Sequence, residues 1–439
     1  SPTFLQTYYP KLIYKPMLNR RSFSSKLISS AFLPFLKIPD AAFLKEISDY
    51  VGSSNPSAAD EDFWAQIRMA YTTSQQIVNL NNGGVSPSPK VVQDAVEHYN
   101  KLANDGPSYY MWRIMDQGRE PLRENLAKFA GVSSEEIAIN RNATEAIDTV
   151  ILGLPLLKGD QVVLSKYDYP NMLHAWRQRE VRDGIELVYV DIDLPLADNE
   201  LIIKKYTEKF TPKTKVVHLT HVVNWNGQIL PVRKIADEAK KKGVKVLVDG
   251  AHSFALLDFK IPELNCDFYG TSLHKWLSAP IGSGMLWIKK EEIKNVFPLI
   301  PNGDPFSENV RKYENLGTRS FMIEQGIGTA LNFQHTIGTK RKEDRIRYLK
   351  DYWTKEAVKI PRVKMYTPLD AKYSCAIANV GMEGMEAGVI ESKLFEKFKV
   401  HTSPTKWEKI NGARVTPHVY TSLRDLDRLL EGLLYVSKL

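Results

Sequence analysis

Cysteine is almost missing from this chain: Cys266 and Cys375 are the only two in 439 residues. Their scarcity excludes a disulfide framework and any zinc site made of several thiolates, and leaves room for at most one bridge. Long apolar runs are missing too. The stretch from Leu27 to Leu36 falls well short of the roughly 20 residues a helix needs to cross a bilayer, so no stable transmembrane span is expected. Lys and Arg outnumber Asp and Glu by 59 to 51, a formal charge of +8, but the basic residues are dispersed. The densest internal run, Lys240-Lys241-Lys242, stands before Gly243. That is the pattern of a helix C-terminus, where cations oppose the macrodipole and glycine caps the end. Nucleic acid is therefore not expected as a partner. Repeats, low-complexity tracts and coiled-coil heptads are likewise absent from the sequence.

With 43% hydrophobic and 25% charged residues, the chain can bury a large core and is expected to divide into two or more units. The polar, breaker-rich stretch from Val51 to Asp60 reads as a linker ending in a helix N-cap at Asp60. Beyond it, short apolar runs alternate with helical patterns. They are Ile137 to Ile139, Val162 to Leu164, Leu187 to Val190, Val216 to Leu219, Val244 to Val248, Phe268 to Tyr269 and Met285 to Ile288. This alternation predicts an α/β fold with a large, mostly parallel seven-stranded sheet, and ligands bound beyond the carboxyl ends of its strands. Asn142, Asn224 and Asp249 all follow such runs and are expected to gather on that edge. After about Gly326 a helical pattern through Ala330, His335 and Lys350 gives way to strands near Met365, from Cys375 to Val380 and from Val415 to Val419. These predict a smaller α+β C-terminal domain. The expected divisions are an N-terminal extension over 1–59, a segment over 60–95 that packs with the small domain, a large domain over 96–330 and the small domain over 331–439.

Near the start, Asn19-Arg20-Arg21-Ser22-Phe23-Ser24-Ser25-Lys26 precedes the short apolar stretch in the manner of a twin-arginine export signal, with Met17 as its natural start. Two readings stand: a signal that sends the folded protein to the periplasm, or a chance arginine pair before a short docked helix in a cytoplasmic protein. No clear small-x-small cleavage site follows.

The chemistry concentrates in two stretches. Val248-Asp249-Gly250-Ala251-His252 puts a carboxylate at the end of one apolar run, and Thr271-Ser272-Leu273-His274-Lys275-Trp276 puts an amine just past the next. A carbonyl cofactor needs an amine to hold it as a Schiff base, and a pyridine nitrogen needs a carboxylate to stay protonated. The pair therefore fits pyridoxal phosphate (PLP). Ser272 and His274 supply phosphate donors, and burial near positive charge would lower the pKa of Lys275. Asn142-Ala143-Thr144-Glu145 opens a helical pattern with asparagine at the cap and glutamate three residues on. Alone it reads as a capping box. Beside the lysine and aspartate it reads as an anion site of free N–H groups and a hydroxyl. No metal is expected, because His218 and His221 lie three apart in a strand pattern, on opposite faces, with no cluster to complete a ligand set. His252 is by default a structural histidine; its alternative place is near the cofactor's phenolic oxygen.

Taken in order, Asn142-Ala143-Thr144-Glu145, Asp168-Tyr169, Asn224-Trp225-Asn226-Gly227, Asp249-Gly250-Ala251-His252, Ser272-Leu273-His274-Lys275 and Gly317-Thr318 resemble the class V aminotransferases of PLP fold type I. The likeness covers roughly Asn79 to the C-terminus. Within that class the chain is similar to the isopenicillin N epimerase-like branch, notably in Tyr169 and the Asn-Ala-Thr-Glu segment. The resemblance implies that Lys275 holds the cofactor as a Schiff base, Asp249 pairs with the pyridine nitrogen and Tyr169 stacks on the ring, where cysteine desulfurases place a histidine. It implies Asn224 and His252 beside the phenolic oxygen, and phosphate contacts from Ala143, Thr144, Ser272 and His274. Gly317 and Thr318 would be contributed across the interface of a homodimer. Arg414 matches the arginine that holds the substrate carboxylate, a task suited to a fork of N–H donors; taken alone it reads equally as an ordinary ion pair.

An amino acid is then the small substrate, and Lys275 the base that takes its α-proton. The next fate of that proton separates amino-group transfer, epimerisation and lysis of a C–S bond. Transfer needs only the lysine and ranks first. Epimerisation needs an acid on the opposite face, and the sequence assigns none. Tyr109, Tyr110 and Arg113 lie in an aromatic segment that either lines the substrate pocket or starts a packed helix. Cysteine desulfurases of this class carry a nucleophilic cysteine shortly before the carboxylate-binding arginine, and residues 402–412 contain none. Cys266 and Cys375 read as buried, which disfavours a persulfide route and leaves a cysteine-independent C–S lyase open. The non-enzymatic alternative is a PLP-fold protein that binds without turnover; intact Lys275, Asp249 and Arg414 argue against it.

Overall fold

The computed structural model describes residues 41–439, so the arginine pair and the apolar stretch after it lie outside the described residues. Among those described, no helix is long and apolar enough to cross a membrane. Helices α1 (Ala41–Ser54) and α2 (Glu61–Met69) lead to a short strand, β1 (Val78–Asn79), followed by α3 (Lys90–Asp105) and α4 (Arg119–Ala130). The linker expected from Val51 therefore begins at Asn55. Leu44, Ile47, Tyr50 and Val51 recur at helical spacing and dock on the main core, with Ile47 fully buried. That apolar stripe outweighs the weak helix propensity of Gly52, Ser53 and Ser54. Asp60 caps α2, its carboxylate accepting from the Phe63 N–H at 3.1 Å.

All seven apolar runs form strands of one sheet: β2 (Ile137–Asn140), β3 (Gln161–Ser165), β4 (Glu186–Val190), β5 (Thr214–Thr220), β6 (Lys245–Asp249), β7 (Phe268–Ser272) and β8 (Gly284–Ile288). Their order is β2-β8-β7-β6-β5-β3-β4, and only β8 runs antiparallel to its neighbours. Between strands lie α5 (Ala143–Gly153), α6 (Pro170–Asp183), α7 (Asn199–Thr207) and α8 (Val232–Lys241). Alternate residues of one strand feed separate cores: Val246 and Val248 join one, Leu247 the other. A strand covered on both faces requires that. The two histidines part in the same way, His218 lying edge-on to Trp176 and His221 edge-on to Phe259. The lysine run ends α8 and meets Gly243 at φ +70°.

Helix α9 (Phe321–Ile337) packs on α3 and α4, and Gly338 separates it from α10 (Thr339–Ala357). The expected boundary between 330 and 331 thus falls inside a continuous helix; the chain turns at Gly338, where φ is +86°. Next come β9 (Val363–Met365), β10 (Ala378–Met382), α11 (Ala387–Phe398), β11 (Val400–His401), β12 (Ser403–Trp407), β13 (Ile410–Val415) and α12 (Leu423–Val436). Four of these strands form an antiparallel sheet in the order β12-β13-β10-β9, whereas β11 pairs with β1, Val400 beside Val78. The strand expected over Val415 to Val419 instead ends at Val415, two residues before Pro417, which has no N–H to donate. Cys375 to Ile377 are buried but precede β10.

A buried ion-pair lattice ties the first strand of the large sheet to the loop before α9. Glu314 accepts from both terminal nitrogens of Arg123 and from the Ile139 N–H at 2.7 Å, with Arg119 3.3 Å away. Removing one partner of such a buried set leaves charge uncompensated. Glu314→Ala is expected to lower unfolding free energy by about 3–5 kcal/mol, read as a reduced denaturation midpoint with an unchanged slope.

Candidate active site

The carboxyl edge of the large sheet collects the chemistry. Asp249 is the last residue of β6 and is buried, and Thr220, the last of β5, lies beside it in register. The Asp249 Oδ1 accepts from the Ala251 N–H at 2.9 Å, while its Oδ2 takes no hydrogen bond from any described residue. Burial raises its pKa, and the positive charge of Lys275 opposes that rise. Just beyond β7, Lys275 projects its Nζ to within 3.3 Å of His252 Nε2. Burial lowers the lysine's pKa to about 8, against the pull of Asp249 and with help from Arg414.

Opposite β7, the start of α5 makes the anion site. Asn142 caps it, its side-chain oxygen accepting from the Glu145 N–H at 2.9 Å. The expected capping box is only half made, because the Glu145 carboxylate reaches one residue further back, to the Arg141 N–H at 2.7 Å and the Arg141 guanidinium. The Ala143 N–H donates to Ser272 Oγ at 2.9 Å, joining the helix start to the end of β7. Thr144 offers an N–H and a hydroxyl with no partner among the described residues. Gly284 allows this approach, since a Cβ there would stand 2.6 Å from the Asn142 backbone. His274 lies with its Nδ1 3.0 Å from the Ser283 carbonyl. A carbonyl only accepts, so Nδ1 carries the proton, and a phosphate contact through Nε2 needs a second one. Burial opposes that second proton; a phosphate dianion favours it.

Tyr169 heads α6 and is 40% exposed, free to meet a ligand. Its neighbour Asp168 is buried, accepts from Thr220 Oγ1 at 2.6 Å and from the Ser165 N–H at 2.7 Å, and is pushed up to about 7 by burial. Arg414, on β13 of the small domain, donates to the Asn224 carbonyl at 3.0 Å and to Asn81 Oδ1 at 3.1 Å. Its Nε and the Asn224 Oδ1 are buried without a partner among the described residues. Burial lowers its pKa to about 10.

The segment after β1 was not singled out by sequence reasoning. Asn81 holds the arginine, and Gly83 donates to Thr416 Oγ1 at 2.9 Å while a Cβ on it would come 3.5 Å from the His252 ring. The only prior signal was the Asn81-Asn82-Gly83-Gly84 turn composition. Gly317 and Thr318 are exposed, and Thr318 lies on a separate recess of about 590 Å³ with Arg119, Glu314 and Arg319. Tyr109, Tyr110 and Arg113 occupy irregular helical turns; Tyr109 is exposed and no contact among the described residues joins the three to the Lys275 cluster. Their neighbour Trp112 packs edge-on against Phe321.

The arrangement fits PLP on its own terms. A buried carboxylate with an unused oxygen suits a protonated ring nitrogen. A lysine of lowered pKa suits a carbonyl, and a helix start joined to a serine and a histidine suits a phosphate. Fold and site together define a PLP-dependent enzyme of fold type I that acts at the α-carbon of an amino acid. The chain belongs to the aminotransferase class-V family, whose model matches residues 78–404. It is 26% identical over 394 residues to an isopenicillin N epimerase of Amycolatopsis lactamdurans, covering 85% of this chain and 99% of that one. It is 27% identical to a probable cysteine desulfurase of Halalkalibacterium halodurans, covering 81% and 92%. Among solved structures, a C-DES mutant with glycine covalently linked to its PLP cofactor shares the fold, with a TM-score of 0.75, 20% identity and coverage of 84% and 98%.

The likeness to desulfurases stops at the thiol. Cys266 and Cys375 are free and buried, and burial raises both thiols, Cys375 to about 12. Residues 403–415 form a tight hairpin whose two-residue turn, Glu408-Lys409, joins paired Trp407 and Ile410. Trp407 stacks face to face on Trp225 at 4.8 Å and donates its indole N–H to the Lys166 carbonyl at 2.8 Å. A pinned hairpin without cysteine occupies the stretch before Arg414, so this chain brings no thiolate to a persulfide reaction.

Proposed function

We propose that this enzyme transfers the α-amino group of an amino acid, with Lys275 as the residue that both holds the cofactor and moves the α-proton. The observation that carries the reading is the meeting of Lys275 Nζ with His252 Nε2 at 3.3 Å beside Asp249, while Arg414 keeps a buried, unused donor for a carboxylate. Bound PLP supplies an electron sink that acidifies the α-proton of an amino acid joined to it. Asp249 keeps the ring nitrogen protonated through its free oxygen. Ala143, Thr144, Ser272 and His274 hold the phosphate, Tyr169 covers the ring, and Asn224 and His252 face the phenolic oxygen. Lys275, neutral over much of the range near pH 8, takes the proton from Cα and returns it one atom away. Gly317 and Thr318 complete the site of a second copy in a homodimer. Their exposure on a recess apart from their own chain's lysine supports that assignment.

Two expected results follow from the charges. Capture of PLP by the cofactor-free protein needs the neutral amine, so its rate is expected to rise through about pH 8, where an ordinary lysine would need about pH 10.4; stopped-flow absorbance checks this. The same lowered pKa costs folding stability below about pH 8, and that cost fades as pH rises towards about 10.4. Arg414→Lys keeps the charge but loses the fork of donors. It is expected to raise KM for the amino acid by about 10- to 100-fold, the worth of a charge-assisted hydrogen bond, with a smaller change in kcat.

Epimerisation is a second reading, favoured by the near full-length likeness to the Amycolatopsis lactamdurans enzyme. One experiment separates them. The PLP-loaded protein is mixed in deuterium oxide with a panel of L- and D-amino acids, and released cofactor and amino acid are analysed. Pyridoxamine phosphate and a keto acid in equal amounts support transfer. Deuterium at Cα with mixed configuration and no pyridoxamine phosphate overturns transfer in favour of epimerisation.

A further inference from the structure

Three neighbouring side chains form a chain of hydrogen bonds that ends on the reactive amine. Trp276 is fully buried, and its indole Nε1 lies 3.4 Å from His252 Nδ1. The other ring nitrogen, Nε2, is the one 3.3 Å from Lys275 Nζ. The indole is fixed from two sides. Its ring lies parallel to that of His418, with centroids 5.8 Å apart, and its backbone carbonyl accepts from the Nζ of buried Lys342, which also donates to Gln334 Oε1 at 2.9 Å. The imidazole has little freedom to turn away, because Gly83 and Thr416 close its far side.

An indole nitrogen can only donate. His252 Nδ1 must therefore present its lone pair to Trp276, and a neutral ring then carries its single proton on Nε2. Burial and the positive charges of Lys275 and Arg414 all favour the neutral ring. With a proton on Nε2, the partner at 3.3 Å has to accept it, and a lysine nitrogen accepts only when it is an amine rather than an ammonium. The opposite arrangement, an ammonium donating to Nε2, would put a proton on Nδ1 directly against the indole N–H.

We infer that Trp276 is a positioning residue that locks His252 in its Nε2–H form, so that the imidazole donates towards Lys275 and holds it as the neutral amine. The residue next to the reactive lysine thus acts on it through the histidine rather than by touching the reacting atoms. This rests on the PLP reading only for the identity of the reacting lysine. The tautomer itself is a property of the protein before any amino acid is added.

The test is nitrogen NMR on the protein labelled with 15N-histidine, with and without PLP, the His252 signals being assigned by their loss in His252→Gln. The expected wild-type result is a pyrrole-like Nε2 and a pyridine-like Nδ1. In Trp276→Phe, Nδ1 loses its donor, and a mixture of tautomers is expected. Labelling of Lys275 by trinitrobenzenesulfonate at pH 8 is then expected to slow by about fivefold, the size of one hydrogen bond. Should that variant fold poorly, benzothienylalanine at 276 keeps the shape and stacking of the indole but has sulfur in place of N–H. A wild-type His252 protonated on Nδ1, or on both nitrogens, at pH 8 would overturn the proposal, as would an unchanged tautomer and labelling rate in a folded variant. Failure of amino-group transfer with the Nε2–H tautomer intact would sink the proposed reaction and leave this inference standing.

Discussion

Lys275→Ala is expected to abolish the lasting yellow colour of the PLP-loaded protein and to lower turnover of its amino acid substrate by about a thousandfold or more. General acid–base help from a placed side chain contributes about 10²- to 10⁴-fold, and this lysine also anchors the carbonyl. No neighbour can replace it. His252 is held neutral by burial, and Arg414, though lowered to about 10, remains a cation at neutral pH. PLP should still bind weakly to the variant through its phosphate, since Ser272 and the start of α5 are untouched. Added methylamine, small enough to enter the space left by the side chain, should restore part of the rate. Equal turnover in variant and wild type would remove Lys275 from the mechanism.

The second large effect concerns Asp249. An amide at that position can accept a hydrogen bond from a protonated ring but offers no charge to keep the proton there. Asp249→Asn is therefore expected to lower kcat by about 10²- to 10³-fold, the scale of losing one fixed electrostatic partner in a site shielded from water. The change should leave the fold intact, because only one carboxylate oxygen is used internally, by the Ala251 N–H. It should also release Lys275 from its nearest negative charge and lower the pH at which the amine becomes neutral, since Asp249 is the group that holds it up. Equilibrium PLP binding and a pH profile of cofactor capture separate the two consequences.

How far the sequence carried these conclusions depends on the range of the interactions involved. The seven strands were legible because each is a short apolar run between breakers, and burial on both faces leaves no room for polar residues. The Asp249 and Lys275 pair was legible because both lie just past strand ends, and a parallel sheet brings such ends to one edge. Helix α1 was missed at its end because Gly52, Ser53 and Ser54 have the composition of a linker, while the docking of Ile47 that holds the helix is long-range. The role of Asn81 was invisible for the same reason: it meets Arg414 from 333 residues away. The half-made capping box at Asn142 is a local miss, since a glutamate can reach either of two adjacent N–H groups and the spacing does not distinguish them. The Trp276 to His252 bond spans 24 residues and two strand ends, and its meaning depends on which nitrogen faces which, something no spacing encodes.

The most direct test of the central claim is reduction of the PLP-loaded protein with borohydride, followed by peptide mapping. Reduction turns a Schiff base into a stable secondary amine and marks the lysine that held the cofactor. The account predicts a single phosphopyridoxyl mark on Lys275, absent from Lys275→Ala. A mark on another lysine, or none in protein that has bound PLP, would contradict it.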